Sequence, residues 1–193
     1  MHLALPLVLA AIQLVAADDA PSYTSPSAFE RAMLDTTNQA RRAHNASDLS
    51  WNQTLVEFAA DVVDKCEFKH SGGPYGENLA TGYENVSTAV GVWRDERDSY
   101  DYRAGKFSLS TGHFTQLVWK ASTQLGCARA NCTGKGDASG WFVVCEYFPP
   151  GNVQGAFAEN VQRQEGTSEA AGRRSAKLAW IGAVVAVSAG LWW

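Results

Sequence analysis

Two histidines and two glutamates in the middle of this 193-residue chain could transfer protons or bind a metal ion. His113 follows Gly112 at the head of a short apolar run, and His70 and Glu77 flank a glycine-rich loop. Glu96 falls on the apolar face of a predicted helix, where a carboxylate without a partner is costly. Glu96 therefore requires a histidine, a metal ion or a hydrogen-bond network beside it. A single histidine is more often a core residue, but three partners accompany His113.

The elements that must position these side chains are helices on both sides of a sheet. Apolar residues recur at helical spacing from a capping box at Ser27 and Glu30, from an Asn52 cap to about Cys66, and again over 85–100. Strands are predicted over 124–130 and 141–148. The second of them is apolar on both faces, which indicates a central strand covered from both sides. The glycine-dense stretch 71–76 predicts a loop that places His70 and Glu77 in one irregular segment.

The overall composition indicates one domain with a proper core and excludes one class of partner. The chain is 46% hydrophobic, which is enough for a single buried core at this length. Its formal net charge is -4 and its pI is near 5.5. No basic stripe interleaved with aromatic residues is present, so we expect no nucleic-acid partner.

Both ends of the chain look like targeting segments. Residues 1–17 are apolar and end in small residues, as in a secretory signal peptide, and residues 18–26 form a polar lead that we expect to be mobile. The uncharged tail 178–193 would reach roughly 24 Å as a helix, short of a roughly 30 Å hydrocarbon core. With the small residues at 168–172 and a short polar spacer, it predicts a glycolipid-anchor signal within the linker region 158–177. A short tail anchor and a plain buried helix are the alternatives.

Cysteines and glycosylation sequons fit the same extracellular compartment. Four cysteines imply two disulfides, for which three connectivities exist. Because the sequence contains no Cys-x-x-Cys pair, we do not expect the thiols to bind a metal ion. Four Asn-x-Ser/Thr sequons are predicted glycosylation sites. They are Asn45, Asn52, Asn85 and Asn131.

Two stretches closely resemble the signature motifs of the CAP superfamily, which comprises cysteine-rich secretory proteins, antigen-five venom proteins and plant pathogenesis-related class-one proteins. The first is Gly-His-Phe-Thr-Gln-Leu-Val-Trp at 112–119 with Gly-Cys at 126–127. The second is Phe-Val-Val-Cys-Glu-Tyr at 142–147 with Pro-Gly-Asn at 150–152. Upstream landmarks match at 49–51, 70–71 and 76–80. The chain is most similar to secreted fungal members, and the resemblance places a CAP (SCP) domain over 27–157.

The resemblance implies an α+β fold, a three-layer α-β-α sandwich, with a cleft lined by His70, Glu77, Glu96 and His113. Two imidazoles with nearby carboxylates suit zinc or another divalent cation. The alternative is a hydrogen-bonded polar cluster that holds its segments together without metal. The disulfide pattern that the family implies pairs Cys66 with Cys132 and Cys127 with Cys145.

A second resemblance concerns the aromatic residues of the loop that precedes His113. Tyr100, Tyr102 and Phe107 have the spacing of the caveolin-binding-like motif through which sterol-exporting yeast members of the family are thought to bind sterol. The leading hypothesis is therefore a secreted, extracellular or surface-anchored protein, not an enzyme. It would bind sterols, fatty acids or other small hydrophobic ligands in lipid export or in host interaction and virulence, where host proteins are further partners.

Two alternatives compete with lipid binding. One is a metal-dependent hydrolase in which the histidines hold the ion and Glu77 or Glu96 is the general base, although no established catalytic motif is present. The other is the release of a signalling peptide from Pro149 onward, where Pro150, Gly151 and Asn152 resemble the family's defence peptide.

Overall fold

A computed structural model describes residues 23–164 of the chain. Its helices are α1 (Pro26–Ala43), α2 (Gln53–Val63), α3 (Val86–Asp95), α4 (Gly112–Leu117) and α5 (Phe157–Asn160), and a 3-10 turn, Glu96–Ser99, follows α3. Its strands are β1 (Ser50–Trp51), β2 (Gly76–Thr81), β3 (Gln124–Asn131) and β4 (Trp141–Phe148). None of the helices within 23–164 is both long and apolar enough to span a bilayer.

The four strands form one mixed sheet in the order β1-β3-β4-β2. The short β1 is parallel to β3, and the other neighbours are antiparallel. In β4, Val143, Cys145 and Tyr147 pack into the core formed with α1, α3 and α4, whereas Phe142 and Val144 pack into the core formed with α2. The prediction of a central strand buried on both faces is confirmed. The molecule is the three-layer α-β-α sandwich that the family resemblance implies.

Helix starts follow local capping chemistry, with one correction. The side chains of Asn52 and Asn85 accept hydrogen bonds from the first free amides of α2 and α3, as is typical of N-cap residues. The first helix was predicted to open at Ser27 with Glu30, but it begins at Pro26 and is capped by Ser25. Proline is favoured at the first helical position because its φ is preset and no amide is lost there.

The packed domain is longer at both ends than the predicted 27–157. Tyr23, assigned to the mobile lead, is buried and stacks on Trp141 at 5.2 Å. In the predicted linker, the Asn160 side chain accepts from the Ala121 amide, and the Gln162 carbonyl lies 2.7 Å from His44 Nδ1. The predictions for residues 1–22 and 165–193, including the signal peptide and the anchor site, fall outside the described residues.

One disulfide joins two neighbouring strands of the sheet, whereas a second disulfide and one buried arginine connect the layers. Cys66 is bonded to Cys132 and Cys127 to Cys145, as the family resemblance implies. The buried Arg41 guanidinium of α1 donates hydrogen bonds to four backbone carbonyls at 2.8 to 3.0 Å. These belong to Ser47, Leu117, Trp119 and Ser122. Arg41 thereby fixes the end of α4, the helix that carries His113.

Candidate functional site

Glu96 and His113 form the first of two histidine–carboxylate pairs. Glu96 Oε1 lies 2.6 Å from His113 Nδ1, and Glu96 Oε2 accepts from the amides of His113 and Phe114 at 3.0 and 3.1 Å. The first amides of a helix have no partner within it, and Thr111 provides no side-chain cap for α4. Glu96 therefore caps α4 and orients the His113 ring, which stacks on Trp93. The expectation that Glu96 turns inward and has a histidine partner agrees with this geometry.

His70 and Glu77 form the second pair. Glu77 Oε1 lies 2.7 Å from His70 Nδ1 and accepts from the Ser71 amide at 3.0 Å. Glu77 is largely buried, whereas His70 is exposed. The two residues were predicted to share one irregular segment, but Glu77 belongs to strand β2 and only His70 lies in the loop. Burial acts to raise the pKa of Glu77, but the hydrogen bonds from His70 and Ser71 outweigh it and hold this pKa at about 2. The hydrogen bond to Glu77 raises the pKa of His70.

A third carboxyl group, Glu146, lies behind the second pair. It is directly opposite Glu77 in the β2–β4 register and only 1% exposed. Burial, with the neighbouring Glu77 charge, raises the pKa of Glu146 to about 9, so it is a neutral acid at pH 7. Neither of its oxygens has a hydrogen-bond partner of ordinary geometry among residues 23–164, which leaves the Glu77 carboxylate as the acceptor for its proton. Sequence reasoning missed Glu146, although a lone carboxylate within an otherwise apolar strand was the available signal.

Two amide side chains, the buried Asn78 and the half-buried Asn152, connect the two pairs. Asn78, next to Glu77, donates to the His113 carbonyl at 3.1 Å. Asn152 accepts from the Thr115 hydroxyl at 2.5 Å and donates to the Gly112 carbonyl at 3.0 Å. A cavity of about 240 Å³ opens beside the second pair. Its walls include His70, Glu77, Gln116, Gly151 and Asn152. The structure thus brings the four predicted residues together as two linked pairs, not as one cluster.

The geometry of the two pairs limits which atoms could bind the predicted zinc ion. Each histidine has its Nδ1 directed at a glutamate, so only the Nε2 atoms of His70 and His113 are available as ligands. Within residues 23–164, no three His, Cys, Asp or Glu side chains converge closely enough to hold a metal ion. In this arrangement the residues do not fit a closed structural zinc site, which takes four ligands. The glutamates occupy the outer positions that orient a ligating imidazole.

The three aromatic residues of the loop before α4 have different surroundings. Tyr100 is only 7% exposed and packs edge-on against Tyr102, with ring centroids 4.8 Å apart. Tyr102 is half-buried beneath the Arg163 guanidinium, 4.5 Å from its ring centroid. Phe107 is exposed and its ring lies against Gly112. The structure therefore does not bring these three rings onto one open surface.

A second cavity, of about 380 Å³, lies beside Tyr102. Its lining combines apolar side chains with polar ones from the end of α1, the loop and the C-terminal segment. The lining residues are Asn45, Tyr102, Ala158, Val161, Gln162 and Arg163. Sequence reasoning missed this cavity because four of these six residues lie in the segment that was assigned to a linker.

The four glycosylation sequons differ in accessibility. Asn45, Asn85 and Asn131 are exposed. Asn52 is half-buried: its Oδ1 accepts from the Thr54 amide at 2.8 Å, and its Nδ2 donates to Gln124 Oε1 at 2.6 Å. The nitrogen that would receive a glycan at Asn52 is therefore part of the contact between α2 and β3.

Comparison with known proteins places this site in a family. Residues 34–147 match the description "Cysteine-rich secretory protein family". "Repressed by EFG1 protein 1" of Candida albicans is 41% identical over 146 residues, which are 72% of this chain and 52% of that protein. Protein PRY2 of Saccharomyces cerevisiae is 42% identical over 139 residues, 69% of this chain and 41% of that protein. The chain thus spans about half the length of these curated relatives.

Solved structures show the same fold at lower identity. Venom allergen-like protein 4 of Schistosoma mansoni superposes with a TM-score of 0.55 at 21% identity, over 69% of this chain and 92% of that one. MpPR-1i superposes with a TM-score of 0.55 at 19% identity, over 72% of this chain and 98% of that one. With its two disulfides and signature segments, this chain belongs to the cysteine-rich secretory protein (CAP) family.

Proposed function

We propose that this protein is a secreted or cell-surface protein that binds small amphiphilic lipids, sterols or fatty acids, in the cavity beside Tyr102. The observation that carries the proposal is the cavity itself. Its volume of about 380 Å³ falls in the range of roughly 300–1,000 Å³ that is common for small-molecule sites. The Tyr102 ring, Ala158 and Val161 offer apolar contacts, whereas the Arg163 guanidinium supplies hydrogen-bond donors for a polar head group.

Of the three aromatic residues of the loop, only Tyr102 lines this cavity. Tyr102 lines the cavity, and Tyr100 supports it from behind by packing on Tyr102 and Phe114. Replacement of Tyr100 would therefore affect ligand binding through the position of Tyr102. Phe107 lies outside the lining, so its replacement should leave ligand affinity unchanged.

A smaller groove between α1 and α3 suits fatty acids in particular. It has a volume of about 170 Å³, and small residues of both helices, Ala40, Ala43 and Gly91, line it. Arg94 and Arg97 also line it; Arg94 is paired with Asp95 and Arg97 donates to Gln164 Oε1, so a ligand carboxylate would replace these partners. Sterols lack a carboxylate, so in this proposal the groove distinguishes the two ligand classes.

Extracellular location is part of the same proposal. The two disulfides are typical of secreted proteins, and one relative with 40% identity is named Secreted protein RBT4 of Candida albicans. The tail and the small residues at 168–172 support attachment of a glycolipid anchor. Lipid export and host interaction are the processes in which such a protein would act.

The test is sterol and fatty-acid binding to the secreted fragment 18–168. Ala158→Trp adds a large ring to an exposed position of the cavity wall and should weaken sterol binding by about tenfold or more, because an indole would occupy much of the space. Val92→Trp adds the same ring to an exposed position of α3 outside both cavities, and serves as the matched control. Equal affinities for both variants and the parent would refute the cavity assignment.

A further inference from the structure

Three exposed apolar side chains belong to two segments that meet at Gly112, at the start of α4. Leu109 is 89%, Val153 50% and Phe107 40% exposed. The Phe107 ring lies so close to Gly112 that a Cβ added there would be 3.0 Å from it. From the second segment, Asn152 donates to the Gly112 carbonyl, and Val153 is the next residue along the chain. We name Phe107, Leu109 and Val153 the apolar rim.

The loop that carries Phe107 and Leu109 contains two turns, each closed by hydrogen bonds to the backbone. The Asp101 carboxylate accepts from the amides of Arg103 and Ala104 at 2.8 and 3.1 Å. The Ser108 carbonyl accepts from the Thr111 amide at 3.1 Å. Leu109 is the first central residue of this second turn, so the hydrogen bond that closes the turn fixes its backbone. The exposed Leu109 side chain is thus carried by an ordered backbone.

The rim lies on the side of the domain from which the chain continues toward its C-terminus. A Cβ added at Gly105 would lie 3.8 Å from Ala158, and Tyr102 lies beneath Arg163, so the loop and the last described segment run side by side. From Gln164 the extended chain reaches at most about 14 Å to Ser168 and about 29 Å to Gly172. An anchor attached at 168–172, as in the proposed function, would hold this side of the domain close to a bilayer.

The charges around the rim suit a lipid surface. Arg103 and Lys106 are exposed on the same loop, whereas the loop's acid, Asp101, is engaged by two backbone amides. Apolar side chains flanked by basic ones bind the bilayer interface, where the rings and methyl groups enter the acyl boundary and the cations stay among the phosphates.

We propose that the apolar rim is a contact surface for a phospholipid bilayer, with Leu109 and Phe107 inserting at the interface. Contact there would bring the cavity beside Tyr102 next to the bilayer, where an amphiphile could pass between them. This last consequence rests on the proposed lipid-binding function. The bilayer contact itself does not require a bound ligand.

Vesicle flotation tests the proposal with the 18–168 fragment, which lacks the apolar tail. The vesicles contain phosphatidylcholine with a minor fraction of phosphatidylserine and no sterol or free fatty acid. The fragment should float with the vesicles, and Phe107→Ser with Leu109→Ser should reduce partitioning by about tenfold or more, because two apolar side chains no longer insert. The matched control replaces two exposed apolar residues elsewhere, Phe68 and Val92, by serine and should float like the parent. Equal losses in both double variants would overturn the proposal.

A second measurement does not depend on removing any packing contact. Leu109→Cys and Val92→Cys each introduce one free thiol, since all four native cysteines are in disulfides. A polarity-sensitive fluorophore on Cys at position 109 should shift to the blue when vesicles are added, whereas the same fluorophore at position 92 should not. A blue shift that instead grows with protein concentration in the absence of vesicles would show that a second copy covers the rim, and would overturn the proposal.

The outcomes separate this proposal from the lipid-binding one. Sterol binding in vesicle-free solution should survive Phe107→Ser with Leu109→Ser, because neither residue lines the cavity. Loss of vesicle binding by Ala158→Trp is not expected, because Ala158 is not part of the rim. A fragment that floats but binds no sterol would refute only the proposed function, and one that binds sterol but does not float would refute only the bilayer contact.

Discussion

Glu146 and Glu77 face each other across strands β4 and β2, and they are in opposite protonation states at neutral pH. Glu77 is held ionised by His70 and Ser71, whereas Glu146 is buried and retains its proton. Two adjacent carboxyl groups cannot both ionise in a buried site, so one proton between them is the expected state. The charge of the His70–Glu77 pair therefore depends on a residue that does not touch solvent.

The protonated state of Glu146 predicts a loss of stability with rising pH. Its pKa is about 9 in the folded protein and near 4.5 when unfolded, so between these values the folded state binds the additional proton. The free energy of unfolding should then fall as pH rises through this window, with a slope of up to about 1.4 kcal/mol per pH unit. Glu146→Gln keeps a hydrogen-bond donor but cannot ionise, so its urea unfolding curves at pH 5, 7 and 9 should show less of this decline.

The stability that Glu77 contributes changes with pH in the opposite direction, which provides an internal check on this prediction. The pKa of Glu77 is lowered to about 2, so its contribution to stability is present above about pH 4.5 and is lost as pH falls toward 2. Glu146→Gln should therefore change the alkaline side of the profile more than the acidic side. Parallel profiles for the variant and the parent from pH 5 to 9 would contradict the assignment of the proton to Glu146.

We expect the replacement of Arg41 to lower the free energy of unfolding much more than the replacement of its neighbour Arg42. Arg41→Met would remove the guanidinium donors from four backbone carbonyls, three of them in buried hydrogen bonds, and should lower the free energy of unfolding by about 3–5 kcal/mol. Arg42 pairs with Asp48 at the surface, with 58% of its side chain exposed, and Arg42→Met should cost less than about 1 kcal/mol. Urea unfolding of both variants at pH 7 measures the difference. Similar losses for the two would mean that the buried guanidinium is not what fixes α1 to the end of α4.

Side-chain patterns predicted those elements whose signals are local. The strand over 141–148 was predicted with its observed bounds because both of its faces are apolar, and Asn52 was correctly predicted as a helix cap because cap chemistry needs only the next few residues. The start of the third helix near Asn85 was predicted from apolar spacing. Strand β2 was missed because its polar residues Glu77 and Asn78 are largely buried within the domain, so the strand lacks the alternation of a surface strand.

The parts of the site that could not be predicted depend on partners distant in sequence. The raised pKa of Glu146 depends in part on Glu77, which is 69 positions earlier and becomes its neighbour only through the β2–β4 register. Arg41 is not distinguishable by pattern from Arg42, because its four acceptors are backbone carbonyls that any sequence would provide. The pairing of Glu96 with His113 was within reach, since helical phasing already turned Glu96 toward the core.

Zinc binding stays a prediction, and the geometry specifies how it should respond to substitution. Because both Nδ1 atoms are directed at glutamates, the ion could use only the Nε2 atoms of His70 and His113. His70→Ala or His113→Ala should each abolish zinc binding in calorimetric titrations, whereas Glu77→Gln or Glu96→Gln should weaken it by roughly 10–100-fold through loss of imidazole orientation. Zinc affinity that is unaffected by either alanine variant would place the metal elsewhere. Acidification should weaken binding, since the pKa of His70 is raised and protons compete for its ring.

The sequons predict an uneven pattern of glycosylation. Asn45, Asn85 and Asn131 are exposed in the folded domain and should carry glycans on the secreted protein. At Asn52 a glycan on Nδ2 would replace one of the two protons on the nitrogen that donates to Gln124, at the crowded start of α2. Glycopeptide mass spectrometry should therefore find Asn52 the least occupied of the four. As a control, Gln124→Ala removes the acceptor without altering the sequon, and occupancy of Asn52 should rise if this contact is what limits it. Full occupancy of Asn52 in the parent protein, with unchanged thermal stability, would contradict the prediction.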